Sequence, residues 1–341
     1  MEFGVFDLVE RNGQQLAELY EDRLRLCELY DQRGFYCYHV AEHHGTPHGL
    51  ASSPSVFLSA VAQRTTRLRI GALVYLMPFY HPLRLIEELC ILDQLSGGRL
   101  EIGLGRGISP AERGFYGIPS ETAEQQALEG YDVVMRGLEA PELTFHGSHY
   151  TFENVPMELA PFQKPRPPIW YGLHAPESAA WAATRDFQMV SAAPTELAIA
   201  AATKYAQTRR DLDRHDNRIG VLRKIVVAQT DSDARRTARE AYPRFLSNFN
   251  HLFTRLGVSP KNGQRPPDFD AASLEGTGIA GSPKTVAETI RHQLEGSHFN
   301  YFICEFVFGD ISIPDAQRSI ELFATEVMPA LQVVPLVKRK G

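Results

Sequence analysis

LRIGALVYLMPFYHPLRLIEELCILDQLSGGRLEIGLG, residues 68–105, holds two apolar strands separated by one amphipathic helix. Residues 68–76 form an almost unbroken apolar run of strand length. Residues 82–96 place leucine and isoleucine at helical spacing, and Gly97-Gly98 stops the helix. Residues 99–105 are apolar again and end in glycine. Two continuous apolar strands joined by a helix predict a parallel pair buried on both faces.

The same unit repeats in both directions. Upstream, strands are predicted at 3–7 and 35–40, with a helix over 14–33 that carries Leu16, Leu19, Leu24, Leu26 and Leu29 and ends at Gly34. Ser53-Pro54 marks a helix start. Downstream, residues 120–139 read as a helix, and 143–168 as a hairpin with a Pro-rich loop. Strands follow at 168–172, 187–192, 220–228 and 299–306, alternating with helices at 176–185, 195–215, from about 231, at 282–296 and at 313–331. Residues 254–280 read as loop. Eight strand–helix units without a linker predict an α/β fold, a (β/α)8 TIM barrel in one domain spanning 1–341, with a loop insertion before the last unit. Segment 254–280 is the candidate mobile lid, because a loop of that length in a compact domain is functional or disordered.

Composition limits the function. The chain has 341 residues, 43% hydrophobic and 22% charged, with formal net charge −6. That balance argues against a nucleic-acid or anionic-membrane surface. Four cysteines without a CxxC pair offer neither a zinc clip nor a redox pair. No run approaches membrane-span length, and the start MEFGVFD lacks a signal-peptide pattern. A cytoplasmic enzyme is the expectation.

In a barrel, chemistry belongs to the C-terminal ends of the strands. YHVAEHHGTPHG, residues 38–49, follows the second strand and crowds Glu42, His43, His44 and His48 together. A metal would need three or four converging ligands, and adjacent His43 and His44 face opposite sides of an extended chain. Proton handling or substrate orientation outweighs both a metal site and a purely structural role, since imidazole titrates near neutrality. GLGRG, residues 103–107, suits close backbone approach and a phosphate grip through Arg106, although a tight turn with a surface arginine also fits. HAPES, residues 174–178, offers either an anion-binding helix start or an ordinary capped helix. Glu305 and the FGD after it close the last strand.

AEHHG after strand 2, HPLRLIEELCILDQLSGGRLEIGLGRG across residues 81–107, and FATEVMPAL near the end together resemble the bacterial luciferase-like flavin-dependent monooxygenases. The likeness runs from residue 2 to about 120, loosens over 168–190 and returns at 281–331. The resemblance implies a (β/α)8 barrel that uses reduced FMN from a separate flavin reductase and O2, through a flavin hydroperoxide, on a small organic substrate such as an aldehyde or ketone. It implies a homodimer through helices of the first half of the barrel. It assigns His43 the catalytic role, with Glu42 and His44 beside it, and leaves His48 peripheral. It assigns the FMN phosphate to Arg106, flanked by Gly105 and Gly107, and to His174, Ala175 and Ser178. A non-proline cis peptide behind the flavin ring maps to Leu73-Val74. Phe6, Tyr75, Met77 and Trp170 become the substrate lining. Gly105 stands where the light-emitting relatives have a reactive cysteine, and His174-Ala175 replaces their Glu-Ser pair, so light emission is not expected. A deazaflavin-dependent hydride transfer and a non-catalytic flavin-binding relative are the rival readings.

Overall fold

The computed structural model describes residues 1–107, 109–173, 176–257 and 264–332. Its strands are β1 (Glu2–Asp7), β2 (Cys37–Val40), β3 (Arg69–Leu76), β4 (Leu100–Gly105), β5 (Glu142–His146), β6 (Thr151–Pro156), β7 (Ile169–Leu173), β8 (Gln188–Ser191), β9 (Ile219–Val227), β10 (Gly278–Gly281) and β11 (Tyr301–Glu305). Eight of them close a parallel ring in the order β1-β2-β3-β4-β7-β8-β9-β11, with β11 returning to β1. β5 and β6 form the expected antiparallel hairpin outside the ring. The predicted barrel is therefore the observed fold.

The helices are α1 (Leu16–Arg33), α2 (Pro54–Arg64), α3 (Pro82–Leu95), α4 (Pro110–Phe115), α5 (Ser120–Glu139), α6 (Glu177–Thr184), α7 (Thr195–Asp211), α8 (Asp231–Leu256), α9 (Phe269–Leu274), α10 (Pro283–Leu294), α11 (Ile313–Leu322) and α12 (Met328–Gln332). α1 ends as the glycine predicts, with Gly34 left-handed at φ 77°. Ser53 does precede α2, but its hydroxyl makes no capping bond. No described helix is long and apolar enough to cross a membrane.

The reading of 254–280 as loop needs correction. α8 continues to Leu256 and stops at left-handed Gly257, and 269–274 and 278–281 are the helix α9 and the strand β10. β10 is only GIAG, too short and glycine-rich to read from sequence. It forms because β9 outruns β8: β8 pairs with β9 through Val221, and β10 takes the free backbone from Lys224 to Val227. Residues 258–263 lie outside the described set.

Strand alternation sorts side chains into two layers. Outward residues such as Val5, Tyr38, Ile102 and Phe302 join the large core against the helices. Inward residues Leu73, Trp170, Val190, Tyr301 and Ile303 fill the lower barrel. There the Trp170 indole N–H donates to Glu101 Oε2 at 2.6 Å, and His39 Nε2 meets the Tyr301 hydroxyl at 3.0 Å. Burial pushes His39 down to about 3, so this imidazole is neutral. These polar groups plug the barrel from below and leave the C-terminal mouth for chemistry.

Candidate active site

The loop after β2 delivers its histidines to two different networks. His43 Nδ1 lies 3.0 Å from Glu112 Oε1, and the same oxygen accepts the His44 backbone N–H at 3.0 Å. The His43 side chain keeps 28% of its surface accessible, while Glu112 is buried. One imidazole nitrogen is thus anchored on a carboxylate and the ring still faces outward. That is the arrangement of an oriented acid/base.

Glu42 and His44 turn the other way. His44 Nε2 meets Glu42 Oε1 at 2.7 Å, and His44 Nδ1 meets the Tyr116 hydroxyl at 2.7 Å. Glu42 Oε2 accepts from the Leu76 N–H and from the Tyr80 hydroxyl, both at 3.0 Å. Both residues are buried, so they brace the β2 loop against β3 and α4 and do not touch His43. The two histidines part as extended-chain geometry requires. His48 is buried, with its ring 5.0 Å from the His43 ring.

Sequence reasoning missed Glu112. The signal was present in SPAE, residues 109–112, where a serine starts a helix and a glutamate follows three residues later. Ser109 does cap α4, its hydroxyl accepting the Glu112 N–H at 3.3 Å. The glutamate side chain does not complete the box and reaches His43 instead.

On the other side of the mouth, β4 leads into Gly105-Arg106-Gly107. Gly107 is left-handed at φ 67°, which turns the chain and lets its carbonyl accept from Arg113 at 2.7 Å. Arg106 stands 42% exposed and pairs with Glu124, which is more exposed still. The Leu73-Val74 peptide is cis, as the resemblance implies. It coincides with a register shift between Ala72 and Tyr75 that brings Val74 against β4. A β-carbon at position 105 would meet Val74 Cγ2 at 2.2 Å, so neither cysteine nor any other side chain fits there without displacing Val74.

β7 pairs with β4, so α6 begins beside the Arg106 turn. Ser178 lies in the first turn of α6, half-buried, while His174 and Ala175 lie outside the described residues. Tyr131 from α5 reaches the same region and packs against Tyr171. Its hydroxyl is buried and has no hydrogen-bond partner among the described residues. An exposed arginine, a helix start and an orphaned hydroxyl fit a phosphate, which accepts from all three.

Of the expected substrate lining, Phe6 is half-buried and borders the barrel interior. Three others are corrected. The Tyr75 hydroxyl meets Ser55 Oγ on α2 at 3.1 Å, so the register shift has turned this ring outward. Met77 lies in a short turn and belongs to the outer core near α5. Trp170 is locked on Glu101 low in the barrel. Among the described residues, no group of three His, Cys, Asp or Glu side chains is arranged to hold a metal.

Known proteins share this fold. The flavin-dependent trigonelline monooxygenase oxygenase component of Acinetobacter baylyi is 27% identical over 97% of the chain and 95% of its own length. The crystal structure of monooxygenase RslO1 from Streptomyces bottropensis has TM-score 0.88 and 25% identity over 96% of this chain and 99% of that one. The oxygenating constituent of 3,6-diketocamphane monooxygenase from Pseudomonas putida, solved with FMN, has TM-score 0.82 and 20% identity over 96% and 98%. The profile of the luciferase-like monooxygenases matches residues 1–300, and the chain belongs to that family.

Proposed function

We propose that the protein is the oxygenase component of a two-component monooxygenase that uses reduced FMN and O2 on a small organic substrate. The observation that carries this reading is the arrangement around one mouth. An arginine turn suited to phosphate sits on β4, the Leu73-Val74 segment is pressed against Gly105, and an accessible imidazole is held by a buried carboxylate.

Arg106, Tyr131 and Ser178 would hold the phosphate. Leu73 and Val74 would back the ring. When bound and reduced, FMN supplies the electrons that activate oxygen. His43, steadied by Glu112, would hold or move a proton at Nε2, the ring nitrogen turned away from that carboxylate. Phe6, at the border of the barrel interior, would help keep water from the reacting centre. A flavin reductase would supply the reduced cofactor, a reading supported by the relative whose name marks it as an oxygenase component.

The test starts with anaerobic titration of the protein by reduced FMN and by a reduced deazaflavin. The FMN complex is then mixed with O2 in a stopped-flow spectrometer. We expect tighter FMN binding and a transient absorbing species before oxidised flavin appears. His43→Ala should keep FMN binding and lose about 10²-fold in turnover, the scale of a positioned acid/base. Preferential deazaflavin binding without oxygen consumption would replace this reading with hydride transfer.

A further inference from the structure

The wall of the mouth opposite Arg106 carries charge that the proposed chemistry does not use. Lys224 of β9 and Glu305 of β11 are register partners at the top of the barrel, with Nζ and Oε2 2.6 Å apart. Whether the shared proton sits on nitrogen or oxygen, this pair is neutral as a unit. Arg265 enters from the segment after α8. Its guanidinium carbon lies 5.0 Å from the Phe249 ring centre, and it forms no ion pair among the described residues. Its Nε is buried without a hydrogen-bond partner there, and so is Glu305 Oε1.

The remaining groups around this wall do not offset Arg265. Glu10, in the turn after β1, gives Oε2 to the Gly309 N–H at 2.8 Å and sets Oε1 2.9 Å from His48 Nδ1 and 3.4 Å from Asn248. Burial, helped by the charge of Glu305, pushes Glu10 up to about 8, so it keeps its proton near neutrality. Burial also holds His48 uncharged. Asp7 is matched by Arg23 at 3.0 Å, and the Glu112 carboxylate is turned to His43, away from this wall. The backbone invests in this geometry: Val9, a β-branched residue, sits at φ 52° with its N–H on Asp7 Oδ1 at 2.7 Å, and the next residue is Glu10. One positive charge is left over, partly buried, with Phe249 under its guanidinium and Phe245 and Phe308 around the neighbouring Lys224. Its buried Nε–H lacks an acceptor among the described residues, which is costly, and a bound anion would supply one. The mouth is open on the β7 side, where a β-carbon on Gly172 would meet nothing within 4 Å among the described residues.

We propose that Arg265, with the Lys224–Glu305 pair behind it, is a carboxylate-binding subsite, so that the molecule oxygenated here carries one anionic group held on the β9–β11 side with His43 between it and the flavin. Glu305 Oε1 would take a hydroxyl or N–H donor on the same molecule. The assignment to substrate rests on the proposed monooxygenase function, whereas the anion site itself does not.

The experiment titrates benzoate and hexanoate, and separately benzyl alcohol and hexanol, into protein with and without saturating FMN, followed by calorimetry and ligand NMR. FMN occupies the Arg106 site, so phosphate-site binding of the acids is separated from binding at Arg265. At least one acid should bind about 10- to 100-fold more tightly than its alcohol, the worth of a charged hydrogen bond in a desolvated site. Arg265→Gln should erase that preference, and Arg265→Lys should keep part of it. Thermal melting and FMN affinity show whether each variant folds. If Arg265→Gln does not fold, the wild-type acid–alcohol comparison and Arg265→Lys decide. Equal affinity for acid and alcohol, no saturable binding of either acid at millimolar concentration, or a preference that survives Arg265→Gln overturns the subsite. Acid preference in a protein that binds no flavin would leave the subsite standing and remove the monooxygenase reading.

Discussion

At the scale of single residues, the proposed chemistry turns on how individual charged side chains are paired. Arg106 is half-exposed and carries a charge that a phosphate can share in forked geometry. Arg106→Ala should weaken reduced FMN binding by about 2–4 kcal/mol and riboflavin, which lacks phosphate, far less. Equal losses for the two ligands in a fluorescence titration would take Arg106 out of the phosphate site. Glu10 makes a pH-dependent prediction. Its folded pKa, about 8, lies above the ordinary carboxyl value of 4.5. As pH rises, the unfolded chain therefore loses this proton first, and the folded state loses stability from about 4.5 to about 8. Glu10→Gln mimics the protonated form, with an oxygen for Gly309 and an N–H for His48. It should match wild type in urea melts near pH 5 and exceed it near pH 9. A stability difference between the two proteins that does not change with pH would show Glu10 ionised in the fold. Glu42 behaves differently: it adjoins His43 in sequence, yet its carboxylate is spent bracing Leu76 and Tyr80.

At the scale of elements, the six-residue α4 matters beyond its size. It holds Glu112 under His43 and Tyr116 against His44, and Ser109 caps it. Ser109→Ala should cost about 1 kcal/mol locally, the usual worth of an N-cap. Turnover should fall while FMN affinity holds, and Ser109→Thr should restore it. Unchanged kcat in Ser109→Ala would show that His43 does not depend on α4. Segment 254–280 is kept as a proposed lid in altered form. Its latter half is pinned: the Tyr242 hydroxyl donates to Pro266 O at 3.1 Å, Arg239 meets Asp270 at 2.9 Å, and Phe269 stacks on Phe308 at 6.1 Å. Closure over the mouth would exclude water from the flavin. Reduced FMN should slow limited proteolysis within 254–280, and identical cleavage with and without it would make the segment a passive insertion.

For the whole molecule, the barrel leaves apolar side chains on the first-half helices. Val56 on α2 is 72% exposed, and Ile91 and Leu95 on α3 are about half exposed. α2 and α3 pack side by side, so these residues can form one face, where the resemblance sets a dimer. We expect a homodimer in light scattering, and Val56→Glu combined with Ile91→Glu should yield a folded monomer. A wild-type monomer at micromolar concentration would end the dimer proposal.

The barrel was legible in the sequence because its strands are short, mostly apolar runs, each followed by a helix, and local periodicity needs no distant partner. The cis peptide was legible through family resemblance, and motif position marked Arg106 and His43 as candidates at the strand ends. Local pattern could not show which way a side chain points once the register slips, so Tyr75 and Met77 were placed in the mouth and face the helices. Nor could it show β10, whose GIAG becomes a strand only because β9 extends past β8. The deepest part of the site is tertiary. Glu112 reaches His43 across 69 positions, Glu305 meets Lys224 across 81, and Gly309 binds Glu10 across 299. Sequence determined which residues stand at the strand ends. Closure of the ring decided which of them share a charge, because only closure brings the first, ninth and last strands together and removes water from between them.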